Sequence, residues 1–371
     1  MLKEAKKIAI VIGTKAELIK CMPIMLELQK QKKDYWFIHT GQHPLEESCE
    51  EFGIKKPDFI LSPEPKISTK FWSKINKLSI FWFLSMIFKI KEKIKEINPK
   101  YVIYHGDTMS TAAASIGSSK ILNYNKVWKN VHLEAGLRSG SLWEPFPEEI
   151  SRLISDRFSD ILLAVSNLTE KNLKKSYQGK KIILKTGNTI VDSSWHIYKK
   201  IVGKFKKEKK EYVLINIHRH EHLRKKENLE KILEIINSIK TKGIWPMHDN
   251  TKHHLEKYKI FGRIDREKIL ITPLKNYEEF IFLMANCKYL IADGGSIQEE
   301  SLVFKKPCLI IRNRTERQEG LATGLNFLVG INVKRGQYLI DKLEKKELVV
   351  GKFINPYGNV GLSKEIVEAL K

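Results

Sequence analysis

Short apolar runs that end in glycine or in a polar residue recur along this chain, and each is followed by a segment with helical periodicity. The first is the mostly β-branched run at 8–12, which stops at Gly13 before a periodic stretch at 18–28. This alternation of strand and helix predicts a parallel sheet covered by helices. Because ligands bind where the strands of such sheets end, polar residues at these points are the first candidates for a functional site.

The alternation occurs twice in succession. In the first half we predict further strands at 35–39, 101–104, 131–133, 161–165 and 182–184. In the second half we predict strands at 212–217, 244–247, 269–271 and 289–292, and a final strand at 308–311. A chain of 371 residues exceeds what one hydrophobic core usually covers. The sequence therefore predicts an α/β protein of two similar domains that face one another.

The formal net charge of +23 raises the question of a nucleic-acid partner. Lysines are spread over nearly every helical segment, however, and no nucleic-acid-binding motif is recognisable. We therefore expect no nucleic-acid partner, although the excess positive charge would attract an anionic substrate.

The four cysteines lack the C-x-x-C spacing and the density of a disulfide scaffold, so we expect buried thiols in a reducing compartment. Charged residues near the N-terminus lead directly into the first strand, without the pattern of a signal peptide. Both observations predict a cytoplasmic protein.

One apolar and aromatic segment, at 78–90, is flanked by lysines. Its 13 residues are too few to cross a bilayer, for which a helix needs about 20 residues. We expect a buried helix. The alternatives are a subunit interface or a helix that rests on a membrane surface.

The stretch at 132–152 is the most polar part of the first half. It contains two glycines, two prolines and six charged residues, which are Glu134, Arg138, Glu144, Glu148, Glu149 and Arg152. This composition predicts a loop. Trp143 and Phe146 interrupt the charges, so the wall of a cleft is at least as good an interpretation as a solvated loop.

Three acids of the first half are candidates for proton transfer. Asp107 and Glu134 follow or end predicted strands, and Glu148 lies in the polar stretch. Any one of them alone is better explained as a capping or supporting group. Together, neighbouring carboxylates would push one another's pKa values apart, as acid and base catalysis requires.

In the second half, Asp293-Gly294-Gly295-Ser296 follows a strand and precedes a helix. Small residues there would let backbone N–H groups approach a phosphate. Glu299 and Glu300 follow this turn. They are either acids that stabilise the first turn of the helix, or one of them provides a carboxylate that binds a ribose diol. His218, at another strand end, is a candidate phosphate ligand.

Cofactor and metal signatures are weak. Neither G-x-G-x-x-G nor G-x-x-x-x-G-K-[ST] occurs, so a nicotinamide cofactor lacks its usual support. His218, His220 and His222 would share one face if they lay in a strand, but no H-E-x-x-H motif or cysteine pair accompanies them. We expect neither a cofactor nor a metal.

These residues resemble the UDP-N-acetylglucosamine 2-epimerase family over nearly the whole chain. The motifs of the first half are Gly13-Thr14-Lys15-Ala16-Glu17-x-Ile19-Lys20, Thr40-Gly41-Gln42-His43, Gly106-Asp107-Thr108, His132-x-Glu134-Ala135-Gly136-Leu137-Arg138, and Pro147-Glu148-Glu149 with Arg152. Those that follow are Gly187-Asn188-Thr189-x-x-Asp192, His218-Arg219, Gln298-Glu299-Glu300, Thr315-Glu316-Arg317 and Asn355-Pro356-Tyr357-Gly358-Asn359.

The resemblance implies two Rossmann-like domains facing across a cleft, in the GT-B arrangement. The first would comprise 1–185 and a C-terminal helix at 356–371, on the sugar and proton-transfer side. The second would comprise 186–355, on the UDP side. The implied reaction interconverts UDP-GlcNAc and UDP-ManNAc through elimination of UDP to a 2-acetamidoglucal and its re-addition. The product of the reaction would feed surface-polysaccharide synthesis. We also expect the protein to be a homodimer.

The resemblance also assigns residues to roles. The implied catalytic residues are Asp107, Glu134, Glu148 and His218, with Lys20 and Arg138 balancing the acids. The implied UDP-binding residues are Lys15, His248, Gly294, Gly295, Ser296, Glu300, Arg312 and Arg317. Glu144 and Glu149 are left as loop structure.

The chain departs from the family pattern at four places on the nucleotide side. These are Lys15-Ala16 for Arg-Pro, His220-Glu221-His222 for R-E-N, Gly294-Gly295-Ser296 for S-G-G, and Gln318 for the proline of T-E-R-P-E. Alternative functions therefore stay open: a hydrolysing epimerase, an epimerase of a diacetamido or uronic UDP-sugar, a GT-B glycosyltransferase, or a non-catalytic sugar-nucleotide-binding protein.

Overall fold

The computed structural model describes residues 7–63, 77–140, 147–205, 208, 210–348 and 353–370. The chain forms two compact units. The first comprises Met1–Ser193 and Tyr357–Lys371, and the second comprises Ser194–Pro356. Each unit contains one parallel β-sheet with helices, which confirms the predicted α/β class.

Within the described residues, the sheet of the first unit has seven strands. They are β1 (Ile8–Ile12), β2 (Tyr35–His39), β3 (Phe59–Ile60), β4 (Tyr101–His105), β5 (Lys129–Ala135), β6 (Ile161–Ala164) and β7 (Ile182–Lys185). Their spatial order is β3-β2-β1-β4-β5-β6-β7. The helices that follow these strands are α1 (Lys15–Lys30), α2 (Glu46–Phe52), α3 (Lys77–Ile97), α4 (Met109–Gly117), α5 (Glu148–Phe158), α6 (Asn167–Tyr177) and α7 (Ile190–Ile201).

The described part of the second unit contains a six-stranded sheet. Its strands are β8 (Val213–Asn216), β9 (Gly243–Pro246), β10 (Ile269–Thr272), β11 (Tyr289–Ala292), β12 (Cys308–Ile310) and β13 (Asn326–Leu328), in the order β10-β9-β8-β11-β12-β13. Its helices are α8 (His220–Leu223), α9 (Lys226–Asn237), α10 (Asp249–Lys257), α11 (Tyr277–Asn286), α12 (Ile297–Val303), α13 (Gln318–Leu321) and α14 (Val333–Glu344).

The central strands are almost continuous apolar runs because helices cover both faces of each sheet. Every residue of β1, β4, β6 and β11 is buried. The prediction that the strand at 308–311 is the last one was wrong, because β13 follows it. β13 has only three residues and begins with Asn326, so it carries too little apolar periodicity to be recognised.

Each sheet has one point at which the strand order reverses, and parallel sheets bind ligands beyond the strand ends at such points. In the first sheet the reversal lies between β1 and β4. In the second it lies between β8 and β11. The turns after these four strands carry Gly13, Asp107, His218 and Asp293, which were all singled out in the sequence.

The apolar segment at 78–90 is helical, but the prediction that it is buried was wrong for one of its faces. Met86, Ile87 and Ile90 pack into the core of the first unit. A stripe on the other side of α3 is exposed, and we call it the α3 apolar face: Ile80, Phe81, Leu84 and Phe88. No helix in the described part of the chain is long and apolar enough to cross a membrane.

The last helix, α15 (Leu362–Ala369), packs against α1 in the first unit. The buried carboxylate of Asp192, in α7, accepts hydrogen bonds from the backbone N–H groups of Gly361 and Ser363, both at 2.7 Å. One side chain therefore fixes the start of α15.

Replacing Asp192 with alanine should reduce the free energy of unfolding by about 1–3 kcal/mol, because it leaves buried backbone donors without acceptors. Urea unfolding followed by circular dichroism measures the change. Glu368→Ala, at an exposed position of α15, is the matched control and should have little effect. Equal stability of the two variants would show that Asp192 does not anchor the helix.

Candidate active site

Glu134 occupies a strained position near the end of β5. Its φ is 63°, in the left-handed region that non-glycine residues rarely adopt, and the pairing register with β6 shifts between Leu133 and Ala135. Such a backbone costs about 1–3 kcal/mol and persists where the surroundings enforce it. The bulge sets the direction of this one side chain against the regular alternation of the strand.

The carboxylate of Glu134 lies in a buried cluster of polar side chains, which we call the Glu134 cluster. The Lys20 ammonium donates to Glu134 Oε2, and the Asn188 amide donates to the same oxygen at 2.8 Å. His105 Nε2 lies 3.6 Å away. The carboxylate and ammonium side chains are only 4% and 7% exposed. A cation and an amide thus orient this buried acid.

Asp107, in the turn after β4, is the second acid. The guanidinium of Arg152 contacts both Asp107 and Glu149, and Arg152 itself is almost completely buried. Asp107 keeps a side-chain exposure of 26%. A fixed cation therefore holds a partly accessible carboxylate in place.

The stretch at 132–152 is not one loop, contrary to the prediction. Its start belongs to β5, and its end forms the first turn of α5, which begins at Glu148. Residues 141–146, which include Trp143, Glu144 and Phe146, lie outside the described residues. Acidic residues at 148 and 149 suit a helix N-terminus, where they meet the positive end of the helix dipole.

Glu149 was expected to be loop structure, and this was wrong. Its buried carboxylate contacts Arg152 and accepts the backbone N–H of Ser139 at 3.2 Å. Glu148, the first residue of α5, is half-buried. The structure thus makes Glu149 a support of the Asp107–Arg152 pair.

Arg138 was expected to balance the candidate acids, but it pairs with a different carboxylate. Its guanidinium lies 2.6 Å from Asp156, which is fully buried in α5. Asp156 also lies 2.8 Å from His132 Nδ1, and His132 Nε2 lies 2.8 Å from the carbonyl of Gly106. Burial alone would raise the pKa of Asp156, but His132 and Arg138 lower it below the usual value. This group supports the turn that carries Asp107.

Glu17 is a further supporting residue, which the sequence analysis did not assign to a role. Its buried carboxylate accepts from the backbone of Gly13 and Thr14 at 2.8 and 2.7 Å. It also accepts from the hydroxyls of Thr108 and Thr111, both at 2.7 Å. The two turns at the strand-order reversal are therefore tied together. The signal in the sequence is the Thr14-x-x-Glu17 capping box.

Lys15 stands apart from these groups. Its ammonium forms an ion pair with Glu51 at 3.3 Å, and its side chain is 41% exposed. A flexible and accessible cation beside the β1 turn can reach for an anionic ligand at a small conformational cost.

In the second unit, the turn 293–296 is packed closely against charged neighbours. A Cβ added to Gly295 would lie 3.1 Å from Arg317 Nη1, and one added to Gly294 would meet Ile297 at 2.8 Å. Ser296 occupies the N-cap position of α12, but its side chain makes no capping hydrogen bond. A side chain at Gly295 would therefore crowd Arg317, and one at Gly294 would crowd Ile297.

Two buried arginines alternate with two buried glutamates behind this turn. Arg312 lies 3.1 Å from Glu316, which also contacts Arg317, and Arg317 Nε lies 3.1 Å from Glu299. Burial lowers the pKa of Arg312 although Glu316 opposes the effect. Glu300, next in α12, accepts the hydroxyl of Tyr277 at 2.8 Å. These cations are positioned before any ligand arrives.

His218 and His248 follow adjacent strands, and their rings stack with centroids 6.4 Å apart. Burial, together with the charge of His218, lowers the pKa of His248. His218, His220 and His222 do not share a strand face, because α8 begins at His220. Among the described residues no group of three or more histidine, cysteine, aspartate or glutamate side chains is arranged to hold a metal ion.

The comparisons with known proteins agree on one family. A family model described as UDP-N-acetylglucosamine 2-epimerase matches residues 26–371. A UDP-N-acetylglucosamine 2-epimerase homolog of Methanococcus maripaludis is 33% identical, over 98% of this chain and 99% of its own. The UDP-N-acetylglucosamine 2-epimerase of Bacillus subtilis is 32% identical, over 98% of this chain and 94% of its own.

Solved structures extend this similarity to the fold. The UDP-GlcNAc 2-epimerase of Methanocaldococcus jannaschii, in complex with UDP-GlcNAc and UDP, is 30% identical with a TM-score of 0.80, covering 98% of this chain and 99% of that one. The enzyme of Neisseria meningitidis bound to UDP-GlcNAc is 27% identical with a TM-score of 0.82, at the same coverage. The predicted GT-B class is confirmed, and the chain belongs to the UDP-N-acetylglucosamine 2-epimerase family.

Proposed function

We propose that this protein interconverts UDP-GlcNAc and UDP-ManNAc by eliminating UDP to a 2-acetamidoglucal and adding it back while a proton is delivered to the opposite face of C2. The observation that carries the proposal is the Glu134 cluster, in which a buried carboxylate is held at a strained backbone position. Relatives that bind UDP-GlcNAc support the choice of substrate.

The chemistry needs bases and a stabilised leaving group. The C2 proton has no adjacent ketone to acidify it, so cleavage of the bond between C1 and the phosphate oxygen must lead. UDP departs with the electrons of the C1–O bond, a carboxylate removes the C2 proton, and the electrons of the C2–H bond form the C1=C2 double bond of the glucal. In the reverse direction a proton returns to C2 from the other face while UDP attacks C1. Positioned proton transfer contributes about 10²- to 10⁴-fold.

The first unit supplies the proton-handling groups of this proposal. Glu134, Asp107 and Glu148 are the candidate acids and bases, and Lys20 and Arg152 hold the first two. Two acids in different surroundings suit a reaction that takes a proton from one face of C2 and returns it to the other. Arg138 acts through Asp156 and the Asp107 turn.

The second unit supplies the UDP-binding groups. His218, Arg312 and Arg317 are the cations for the diphosphate, with the backbone of the turn 294–296 and with Lys15 from the first unit. Loss of one such charge-stabilising donor costs about 10²- to 10³-fold in rate. Glu300 and His248 complete the nucleotide side, where the carboxylate of Glu300 suits the diol of a ribose.

We further propose a cytoplasmic location. All four cysteines of the described chain are buried thiols. Burial raises the pKa of Cys287 to about 12, so this thiol has little tendency to react. Buried unreactive thiols are typical of proteins of a reducing compartment.

Deuterium exchange tests the reaction. The protein is incubated with UDP-GlcNAc in deuterated water, and the sugar is followed by NMR. We expect deuterium at C2 with UDP still attached, and a mixture of the two epimers. Free sugar with UDP would indicate the hydrolysing reaction instead. UDP-GlcNAc that binds without exchange or turnover would refute the proposal.

Glu134→Gln should abolish C2 exchange and leave the affinity for UDP nearly intact, because the amide keeps the shape but cannot take a proton. Isothermal titration with UDP gives the affinity, and NMR gives the exchange. Glu92→Gln, at an exposed position of α3, is the control and should retain both. A large loss of UDP affinity in Glu134→Gln would make the residue structural.

We also propose that the α3 apolar face is the contact surface of a homodimer. Phe81 and Phe88 are 74% and 57% exposed, and Ile80 and Leu84 are exposed beside them on the same helix. A patch of large apolar side chains of this kind marks an interaction site.

Phe81→Glu combined with Leu84→Glu should convert the dimer to a monomer, because carboxylates cannot be buried unpaired in an apolar contact. Light scattering after size-exclusion chromatography gives the mass. Tyr338→Glu, on an exposed site of α14, is the control and should remain dimeric. A wild-type monomer at micromolar concentration, or a double variant that still dimerises, would exclude this interface.

A further inference from the structure

The imidazole of His218 faces two hydrogen-bond acceptors with the same ring nitrogen. Nδ1 lies 2.9 Å from Asn216 Oδ1 and 3.2 Å from Asp293 Oδ1. Asn216 is the last residue of β8, and Asp293 directly follows β11, which is the neighbouring strand. The strand-order reversal of the second sheet thus brings an amide and a carboxylate to one side of the ring.

Asp293 is an ionised carboxylate at this position. It is fully buried, and it accepts the backbone N–H groups of His218 and Arg219 at 3.0 and 2.9 Å. Burial alone would raise the pKa of Asp293, but His218 and these two backbone donors lower it below the usual value. An ionised carboxylate can only accept hydrogen bonds. Nδ1 of His218 must therefore carry a proton.

With Nδ1 committed to these acceptors, Nε2 is the nitrogen that remains for a ligand. The His218 side chain is 41% exposed, so this nitrogen is accessible. The ring of His248 lies nearly parallel to that of His218, with the ring centroids 6.4 Å apart. When the ring carries a second proton while Nδ1–H stays with Asp293, that proton lies on Nε2, where it can be donated to a phosphate oxygen.

We propose that Asp293 and Asn216 are positioning residues that fix His218 with its proton on Nδ1 and direct Nε2 to the diphosphate of the sugar nucleotide. This inference rests on the proposed function for the identity of the ligand. In its doubly protonated form the fixed ring presents an Nε2–H donor where charge develops as UDP departs, without reorganisation during the reaction. The same logic operates where an aspartate orients a catalytic histidine in hydrolases.

NMR of the full-length protein labelled with ¹⁵N-histidine tests the position of the proton. His218→Gln assigns the His218 signals among the 11 histidines. At a pH at which the imidazole is neutral, we expect the proton on Nδ1, and we expect added UDP to shift mainly the Nε2 resonance. A proton on Nε2 in the neutral ring, or a UDP response confined to Nδ1, would overturn the proposal.

Variants separate the two acceptors. Asp293→Asn should lower kcat by about 10²- to 10⁴-fold, as expected when a histidine loses its orienting carboxylate or its charge. Asn216→Ala leaves both backbone bonds of Asp293 in place, so it should fold even if Asp293→Asn does not. It should keep the proton on Nδ1, held by Asp293, but lower kcat by a smaller factor than Asp293→Asn does, because the ring loses its nearer acceptor. Loss of that tautomer in Asn216→Ala would show that Asp293 does not hold the ring.

Glu344→Gln is the matched control. Glu344 is a carboxylate of the same unit whose side chain is only 5% exposed, and it pairs with Lys288 at 2.7 Å. Lys288 directly precedes β11, whereas Asp293 directly follows it, so the two acids lie at opposite ends of this strand. Loss of the Glu344 carboxylate should destabilise the unit without changing the His218 signals. An effect on those signals equal to that of Asp293→Asn would refute a specific role for Asp293. If the protein turns over no UDP-sugar while the tautomer is as expected, the function fails and the positioning role stands.

Discussion

Buried carboxylates that accept hydrogen bonds from loop backbone are the interaction on which both halves of this structure depend. Parallel strands deliver the chain to their carboxyl edge, but the turns there must be held by something other than the sheet. In the first unit Glu17 holds the turns after β1 and β4 together. In the second unit Asp293 holds the turn after β8 to the end of β11. Each of these two acids accepts hydrogen bonds from a turn on the other side of the strand-order reversal of its sheet.

This arrangement explains how the structure accommodates so many buried charges. A carboxylate that accepts several N–H and O–H donors recovers the cost of leaving water, and it then orders the neighbouring cation or imidazole. The pairs Lys20–Glu134 and Arg152–Asp107 follow the same rule. The same hydrogen bonds and ion pairs that stabilise these buried groups also fix their positions. Proton transfer and anion binding both need groups that are fixed in this way.

The sequence predicts the sheet-forming strands well because parallel strands covered on both faces are continuous apolar runs. It predicts the positions of Asp107, Glu134, His218 and Asp293 because each stands where such a run ends. It does not predict partners. The pairing of Arg138 with Asp156, and of Glu149 with Arg152, depends on how α5 packs beside β5, which no local pattern encodes. The exposed face of α3 was missed for a related reason, since an apolar helix looks the same whether a core or a second chain covers it.

The contacts of the histidines at 220 and 222 indicate what two of the departures from the family pattern do in the structure. His222 is buried, and its Nε2 lies 2.6 Å from the carbonyl of Ile311, so this nitrogen donates a hydrogen bond to the residue before Arg312. It therefore links α8 to the strand end that presents the buried arginines. His220 is exposed at the start of α8. His222 thus supports the backbone that leads into Arg312. His220, by contrast, is an exposed side chain.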